Sequence, residues 1–299
     1  MEIIEEIKRL KKEKDALILA HNYQRPEVQE IADYCADSLE MARVAARSEK
    51  RMIIICGVQF MAETAKILAP DKKVLIPRND ADCPMANMIT AEDVIKLKEQ
   101  YPKAKVVTYV NSLADVKAVT DVCCTSANAV SVVKNIDAQQ IIFGPDKNLA
   151  AYCQRFVDKE IIPWSGFCYV HSKITGDEVR QAKAAYQKAV LLVHPECEPE
   201  IVDMADVVLS TSGMLKYAGE SDAKVFLIAT EMGIIYRLKV ENPGKDFYPA
   251  GTLKTCLNMK KTSIQDIYLA LKDEQYEIKL SDEIIQSAKR SLEEMIKYG

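Results

Sequence analysis

The sequence predicts an α/β protein built from three pseudo-symmetric three-layer αβα units, with short parallel sheets around a central cavity. Three observations carry this expectation. Cys83, Cys168 and Cys256 are separated by 85 and 88 residues, each shortly after an apolar segment that ends in proline. Their surroundings repeat with the same offsets, matching His21 with Tyr109 and His194, Tyr23 with Asn111 and Glu196, Asp33 with Asp121 and Asp206, and Ser38 with Ser126 and Thr211. Apolar runs rich in branched residues alternate with helix-like stretches, the pattern of buried parallel strands with helices on both faces. The period is too long for a common solenoid and suits small α/β units set in a ring.

The elements follow in order. Residues 1–14 read as a charged amphipathic helix with Ile3, Ile4, Ile7 and Leu10 on one face, unlike a signal peptide. The first unit, 15–88, opens with a strand over 16–20 that ends in His21, Asn22 and Tyr23. A segment holding Asp33 and Ser38 leads to a helix over 39–48, a second strand over 52–56, another helix, and a short third strand over 74–77 before Cys83. The second unit, 89–173, starts at a capping-box pattern, Thr90 to Asp93. Its strands are expected at 106–110, 140–143 and 160–163, its helix at 127–136, and Cys168 follows. The third unit, 174–261, starts at Thr175 to Glu178, with strands at 189–193, 224–229 and 247–249 before Cys256. A related start at Ser263 to Asp266 opens the C-terminal helices, 262–299, expected to pack with the N-terminal helix on the first unit.

Composition excludes several function classes. The 299 residues are 48% hydrophobic and 28% charged, enough for a large core and beyond the usual length of one small domain. A net charge of −4 argues against general nucleic-acid binding or attachment to an anionic membrane. No apolar run approaches the roughly 18 residues needed to span a bilayer. Cytoplasmic residence is the expectation, and the nine cysteines then read as thiols or metal ligands rather than structural disulfides.

Ligands of parallel α/β sheets sit beyond the carboxyl ends of the strands, where helix amino termini also point. All the repeated polar residues are expected at those ends, converging with the three cysteines on one cavity. Cys56, Cys153 and Cys35 read as small core hydrophobes. Cys123 and Cys124 are adjacent and face different directions in a strand, and Cys197 follows a polar strand end. The repeated trio is the metal-ligand candidate. Three thiolates leave one coordination position open, either on an iron-sulfur cluster with an exposed iron or on a zinc ion with one exchangeable ligand. Spacing alone separates neither.

The other cavity residues suit an anionic substrate. Ser38, Ser126 and Thr211 recur where helices begin, so hydroxyl and backbone N–H groups can hold carboxylate or phosphate oxygens, or simply cap the helix. His21, His171 and His194, the only histidines, all map to the cavity. Glu196 is the only carboxylate among its repeat equivalents and is the candidate general base. Tyr23 and Tyr109 are candidate proton donors or close the pocket. Arg25, Lys147, Lys254, Lys260 and Lys261 read as surface charges, with one or two available to neutralise a phosphate.

Six segments then resemble one family in order along the chain. They are His21-Asn22-Tyr23-Gln24 with Pro26-Glu27-Val28-Gln29, Phe60-Met61-Ala62-Glu63-Thr64-Ala65-Lys66, Tyr109-Val110-Asn111-Ser112, Thr125-Ser126-Ala127-Asn128-Ala129-Val130, Gly144-Pro145-Asp146-Lys147-Asn148-Leu149 and His194-Pro195-Glu196-Cys197. The chain resembles the quinolinate synthase family over its whole length. That resemblance implies condensation of iminoaspartate (iminosuccinate) with dihydroxyacetone phosphate to quinolinate, phosphate and water, in de novo NAD biosynthesis. It implies a [4Fe-4S] cluster on Cys83, Cys168 and Cys256, with an open iron acting as Lewis acid in dehydration. It further implies substrate binding at His21, Ser38, Tyr109, Val110, Asn111, Ser126, His194, Pro195, Glu196 and Thr211, and a catalytic set of Glu196, Tyr23, His21 and Tyr109. Implied partners are the two substrates and a transient contact with the enzyme that makes iminoaspartate. Some members carry a Cys-x-x-Cys-x-x-Cys run at the third ligand. Here the run is Cys256-Leu257-Asn258-Met259, so a thiol switch at that place is not expected.

A cluster-bearing sensor would carry a basic recognition helix or a docking element, and the sequence contains neither. A zinc lyase is separated from an iron-sulfur enzyme by metal and sulfide analysis.

Overall fold

The computed structural model describes residues 2–298. Helix α1 (Glu2–Glu13) leads into β1 (Ala16–His21), α2 (Pro26–Ile31), β2 (Tyr34–Ala36), α3 (Ser38–Arg47), β3 (Met52–Cys56), α4 (Gln59–Leu68) and β4 (Lys73–Leu75). The plan recurs as α5 (Ala91–Gln100), β5 (Lys105–Tyr109), α6 (Ala114–Ala118), β6 (Val122–Cys124), α7 (Ala129–Asn135), β7 (Gln140–Gly144), α8 (Lys147–Gln154) and β8 (Glu160–Pro163). It recurs again as α9 (Gly176–Ala185), β9 (Val190–Val193), α10 (Pro199–Asp203), β10 (Val207–Val208), α11 (Thr211–Glu220), β11 (Val225–Ala229), α12 (Ile234–Glu241) and β12 (Asp246–Pro249). Helices α13 (Ile264–Asp273) and α14 (Asp282–Lys297) follow.

Three four-stranded sheets result, in the orders β2-β1-β3-β4, β6-β5-β7-β8 and β10-β9-β11-β12. Every strand pair within them is parallel. Every residue of β1 and of β3 is buried, which is why these strands read as unbroken apolar runs rather than alternating ones. The inner faces of the three sheets merge into one continuous core. Each outer face has its own cluster, under α1 and α13 in the first sheet, α5 in the second and α9 and α10 in the third.

Two features differ from the expectation. Each sheet has a fourth strand, the short edge strands β2, β6 and β10, in the segment that carries the repeated aspartate. That aspartate is not at the carboxyl end of a strand. Asp33, Asp121 and Asp206 accept hydrogen bonds from the central-strand N–H groups of Ile18, Val106 and Leu191 at 2.9, 2.8 and 2.8 Å. Their own N–H groups return to the carbonyls of the same three residues at 2.8, 3.2 and 3.1 Å. In the first sheet the pairing with β2 begins one residue later, at Leu19, so without the carboxylate the N–H of Ile18 would lack an acceptor on that side. The triplicated aspartate therefore fixes edge-strand register, away from the cavity.

The C-terminal helices also divide. Helix α13 packs on α1 and β3, but α14 lies against α6 and β6 of the second unit and against α4, rather than beside α1. It is held there because β6 is fully buried and needs a cover. Ser291 Oγ donates to the Lys117 carbonyl at 2.9 Å, and Asn128 Nδ2 donates to the Met295 carbonyl at 3.0 Å. The segment between the two helices pairs with the open side of β4, Ile76 N–H bonding the Tyr276 carbonyl at 2.9 Å and Ile278 N–H the Val74 carbonyl at 2.9 Å. That contact closes an edge that would otherwise offer itself to another strand. No helix among the described residues is long and apolar enough to cross a membrane.

Candidate active site and metal centre

The third strand of each unit runs into a loop with the same build. Short turns at Ala86–Met88, His171–Lys173 and Met259–Lys261 follow the three cysteines. The Cys83, Cys168 and Cys256 carbonyls accept from the N–H groups of Ala86, Ser172 and Lys260 at 2.9, 3.0 and 3.2 Å. Seven residues after each cysteine, Thr90, Thr175 and Ser263 close reciprocal capping boxes with Asp93, Glu178 and Asp266. Each cysteine is thus clamped between a strand and a firmly started helix.

All three open onto one cavity. Its wall also includes His21, Tyr23, Ser38, Tyr109, Asn111, Ser126, His171, His194, Glu196 and Thr211. Burial pushes the Cys83 thiol up to about 12 and raises those of Cys168 and Cys256 as well. Three such sulfurs become thiolates only beside a cation, so the donor set fits a thiolate-bound metal centre. The remaining six cysteines are also free, and Cys56, Cys123, Cys124, Cys153 and Cys197 are buried in cores.

The hydroxyl trio is not used for capping. Asp37, one residue before Ser38, accepts from Glu40 N–H at 3.1 Å, and Ser210, one before Thr211, accepts from Gly213 N–H at 3.2 Å. Thr125, one before Ser126, accepts from Ala127 N–H at 3.2 Å. The capping role falls to the preceding residue in the first and third units, whereas in the second Thr125 closes a turn ahead of a helix whose N-cap is Asn128. Ser38, Ser126 and Thr211 are left on the cavity wall, Ser38 and Thr211 at helix starts that favour anions.

Two histidines at strand ends share one local device. Tyr23 N–H donates to His21 Nδ1 at 3.2 Å, and Glu196 N–H donates to His194 Nδ1 at 3.4 Å. At His21 the accepting Nδ1 leaves the proton of a neutral ring on Nε2, whereas His194 Nδ1 also faces Glu196 Oε2 at 3.3 Å and can carry its proton there instead. Burial keeps both rings neutral, lowering His21 to about 4 and lowering His194 as well. His194 Nε2 lies 3.2 Å from Ser126 Oγ.

Glu196 sits between imidazoles from two units. Its Oε2 is 2.9 Å from His171 Nδ1 and 3.3 Å from His194 Nδ1, and the His171 and His194 rings stack with centroids 4.7 Å apart. Burial would raise this carboxyl, yet the neighbouring imidazoles hold it well below the usual carboxylate range. On its other side, His171 Nε2 is 2.8 Å from Thr230 Oγ1, which is 2.5 Å from the Tyr23 hydroxyl. A file of polar groups therefore runs from Tyr23 through Thr230 and His171 towards Glu196, crossing all three units; its last link, His171 Nδ1 to Glu196 Oε2, is a 2.9 Å contact outside hydrogen-bond geometry. Burial, and then the charge of Glu196, raise Tyr23 and Tyr109 well above ordinary tyrosine, so both keep their protons. Glu196 Oε1 and Asn111 Oδ1 are buried without a hydrogen-bond partner, open to a ligand that donates.

Val110 and Pro195 do not line this cavity. Val110 packs in the core with its N–H bonded to the Cys124 carbonyl at 2.9 Å, and Pro195 lines a separate groove. No lysine or arginine among the described residues lines the cavity. Lys147, Lys254 and Lys261 pair with Glu198, Glu178 and Asp80, and Arg25 donates to the Lys260 carbonyl. Lys260 is not a surface charge, being paired with the fully buried Glu231. Thr230, Asp146 and Glu231 escaped the sequence reading. The offsets could have found the last two, which occupy the position of Val58 after each second long strand.

A family model described as Quinolinate synthetase A protein matches residues 5–297. A curated relative named quinolinate synthase, from Methanoregula boonei, is 52% identical over 292 residues, covering 98% of this chain and 97% of its own. Relatives of the same name from Alkaliphilus metalliredigens and Pyrococcus horikoshii are each 50% identical, the first covering 98% of this chain and 97% of its own, the second the whole of both. By this match along nearly its entire length, the chain belongs to the quinolinate synthetase A protein family and is an enzyme.

Proposed function

We propose that this protein is a quinolinate synthase that condenses iminoaspartate with dihydroxyacetone phosphate, releasing phosphate and water and closing the pyridine ring on the route to NAD. The observation that carries the reading is the union, on one cavity wall, of one cysteine from each unit with three repeated hydroxyls and three histidines. Cys83, Cys168 and Cys256 would hold a [4Fe-4S] cluster. When bound, that group supplies an iron with an exchangeable position, a Lewis acid that assists departure of hydroxide.

The rest of the chemistry falls to the chain. His21 offers its Nε2–H to a substrate carboxylate, and Ser38, Ser126 and Thr211 add hydroxyls, the first and last at helix starts. Asn111 accepts from the imine or hydroxyl of the substrate through its unpartnered Oδ1. Val110 and Pro195 contribute through the shape of the strand ends that carry Tyr109, Asn111, His194 and Glu196. Holding both substrates in one enclosed site removes most of the entropic cost of joining them. Glu196, kept ionised by His171 and His194, takes a proton from substrate carbon. The proton is passed along His171 and Thr230 to Tyr23, whose hydroxyl delivers it to the leaving oxygen, so each cycle returns the chain to its starting state. Tyr109 closes the pocket beside Ser126 and donates a hydrogen bond to the bound anion.

A cytoplasmic setting and a transient contact with the enzyme that makes iminoaspartate complete the reading, the six unpaired cysteines outside the ligand set supporting a reducing compartment. A second reading is a single ion on Cys168, His171 and Glu196, whose donor atoms lie within 4.8 Å of one another. It would occupy a His171 nitrogen already directed at Thr230 or Glu196 and interrupt the proton chain, so the three-cysteine set is favoured. The test is turnover by anaerobically prepared protein supplied with both substrates. Quinolinate and inorganic phosphate should appear in equal amounts; protein with full iron and sulfide that forms no quinolinate would overturn the reading.

A further inference from the structure

The third cysteine loop carries an ion pair without counterpart in the other two, and the lysine of that pair also reaches the substrate side of the neighbouring unit. Glu231 is fully buried, and its Oε1 accepts from Cys256 N–H at 3.1 Å while its Oε2 accepts from Gly233 N–H at 2.7 Å. Lys260, on the turn after Cys256, sits 3.1 Å from Glu231 Oε1 and also donates to the backbone carbonyl of Tyr23. Arg25 Nε returns a hydrogen bond to the Lys260 carbonyl at 2.7 Å, so the turn and the Tyr23 loop hold each other from both sides. The approach is close enough to require glycine at 233. A Cβ there would lie 2.5 Å from Lys260 Nζ and 2.6 Å from the Tyr23 carbonyl oxygen. In the repeat, Lys260 corresponds to Ser172 and Asn87, neither of which carries a charge.

We propose that Glu231 and Lys260 are a positioning pair that couples the backbone of the Cys256 ligand loop to the placement of Tyr23. Through them, the order that a metal imposes on Cys256 reaches the hydroxyl at the far end of the proton chain. The Tyr23 half of this inference rests on the catalytic role proposed above, whereas the Cys256 half does not.

The experiment compares Lys260→Met, Tyr23→Phe and the double variant, each as anaerobically loaded holoprotein. In iron-chelator challenge without substrates, Lys260→Met should lose iron about tenfold faster than the parent. In turnover, Lys260→Met should lower kcat about tenfold with little change in KM. Added to Tyr23→Phe it should cost almost nothing more, because its effect is exerted through that hydroxyl. Unchanged iron release, or losses that multiply in the double variant, would overturn the inference. Full activity of Tyr23→Phe alone would instead sink the catalytic role of Tyr23. Removing Lys260 leaves Glu231 buried without its partner, which threatens folding. The pair Lys260→Met with Glu231→Gln removes that charge and should show the same rapid iron release if the coupling is real, and parental release if it is not.

Discussion

The two ends of the central strands behave differently. At the amino-side end, the repeat is exact in residue and geometry, since Asp33, Asp121 and Asp206 each bond the central strand at 2.8 to 2.9 Å. At the carboxyl-side end, the same register holds Tyr23, Asn111 and Glu196, and the next strand is followed by Val58, Asp146 and Glu231. Repetition persists where three identical sheets need the same register pin. It breaks where the proposed reaction, being asymmetric, would use an acid, an amide and a base in fixed places. The cysteines and the hydroxyls of Ser38, Ser126 and Thr211 are the exceptions at that end, and a threefold cysteine set is what the proposed cluster with one open iron would require.

The sharpest way to break this comparison is at the cysteines. Cys83→Ala, Cys168→Ala and Cys256→Ala should each abolish retention of a full cluster, measured as iron and sulfide per chain, while Cys153→Ala, in the core, should retain it. Next comes Glu196→Gln, expected to keep metal content but lose about 100-fold or more in kcat. Near-normal turnover would remove Glu196 from the role of base.

The pH dependence of the metal-free protein separates the two ends further. The pKa of His21 is lowered from 6.5 to about 4, chiefly by burial, so the unfolded chain takes up its proton first as pH falls. Its contribution is complete above pH 6.5 and is lost as pH drops towards 4. The size is up to about 3 kcal/mol, and His21→Gln should flatten denaturation midpoints across that window. At the outer end, Asp206→Ala removes the acceptor from a strand N–H and should cost about 1 to 2 kcal/mol in urea unfolding. Its kcat should stay within about twofold of the parent, as expected for a change outside the reacting site. A large loss of kcat there would erase the distinction between scaffold end and reaction end.

Much of this was legible in the sequence, for identifiable reasons. Strands buried on both faces write themselves as runs such as Met52 to Cys56, and evenly spaced cysteines mark the loops that follow. The edge strands were missed because Val207 and Val208 alone carry no periodicity. The amphipathic stripe of α14 announces that it packs without naming its partner, and only the exposed need of β6 decides that. Ser38 and Thr211 read equally well as caps until Asp37 and Ser210 are seen to hold that place. Thr230 is an ordinary residue after an apolar strand, and its contact with both Tyr23 and His171 exists only because three units meet.

The most direct test of the central claim is metal and sulfide analysis of anaerobically isolated protein, with its visible spectrum. Four irons and four acid-labile sulfides per chain, lost together when any one of Cys83, Cys168 or Cys256 is replaced, is the predicted result. Zinc without sulfide, or a full cluster surviving all three replacements, would contradict it.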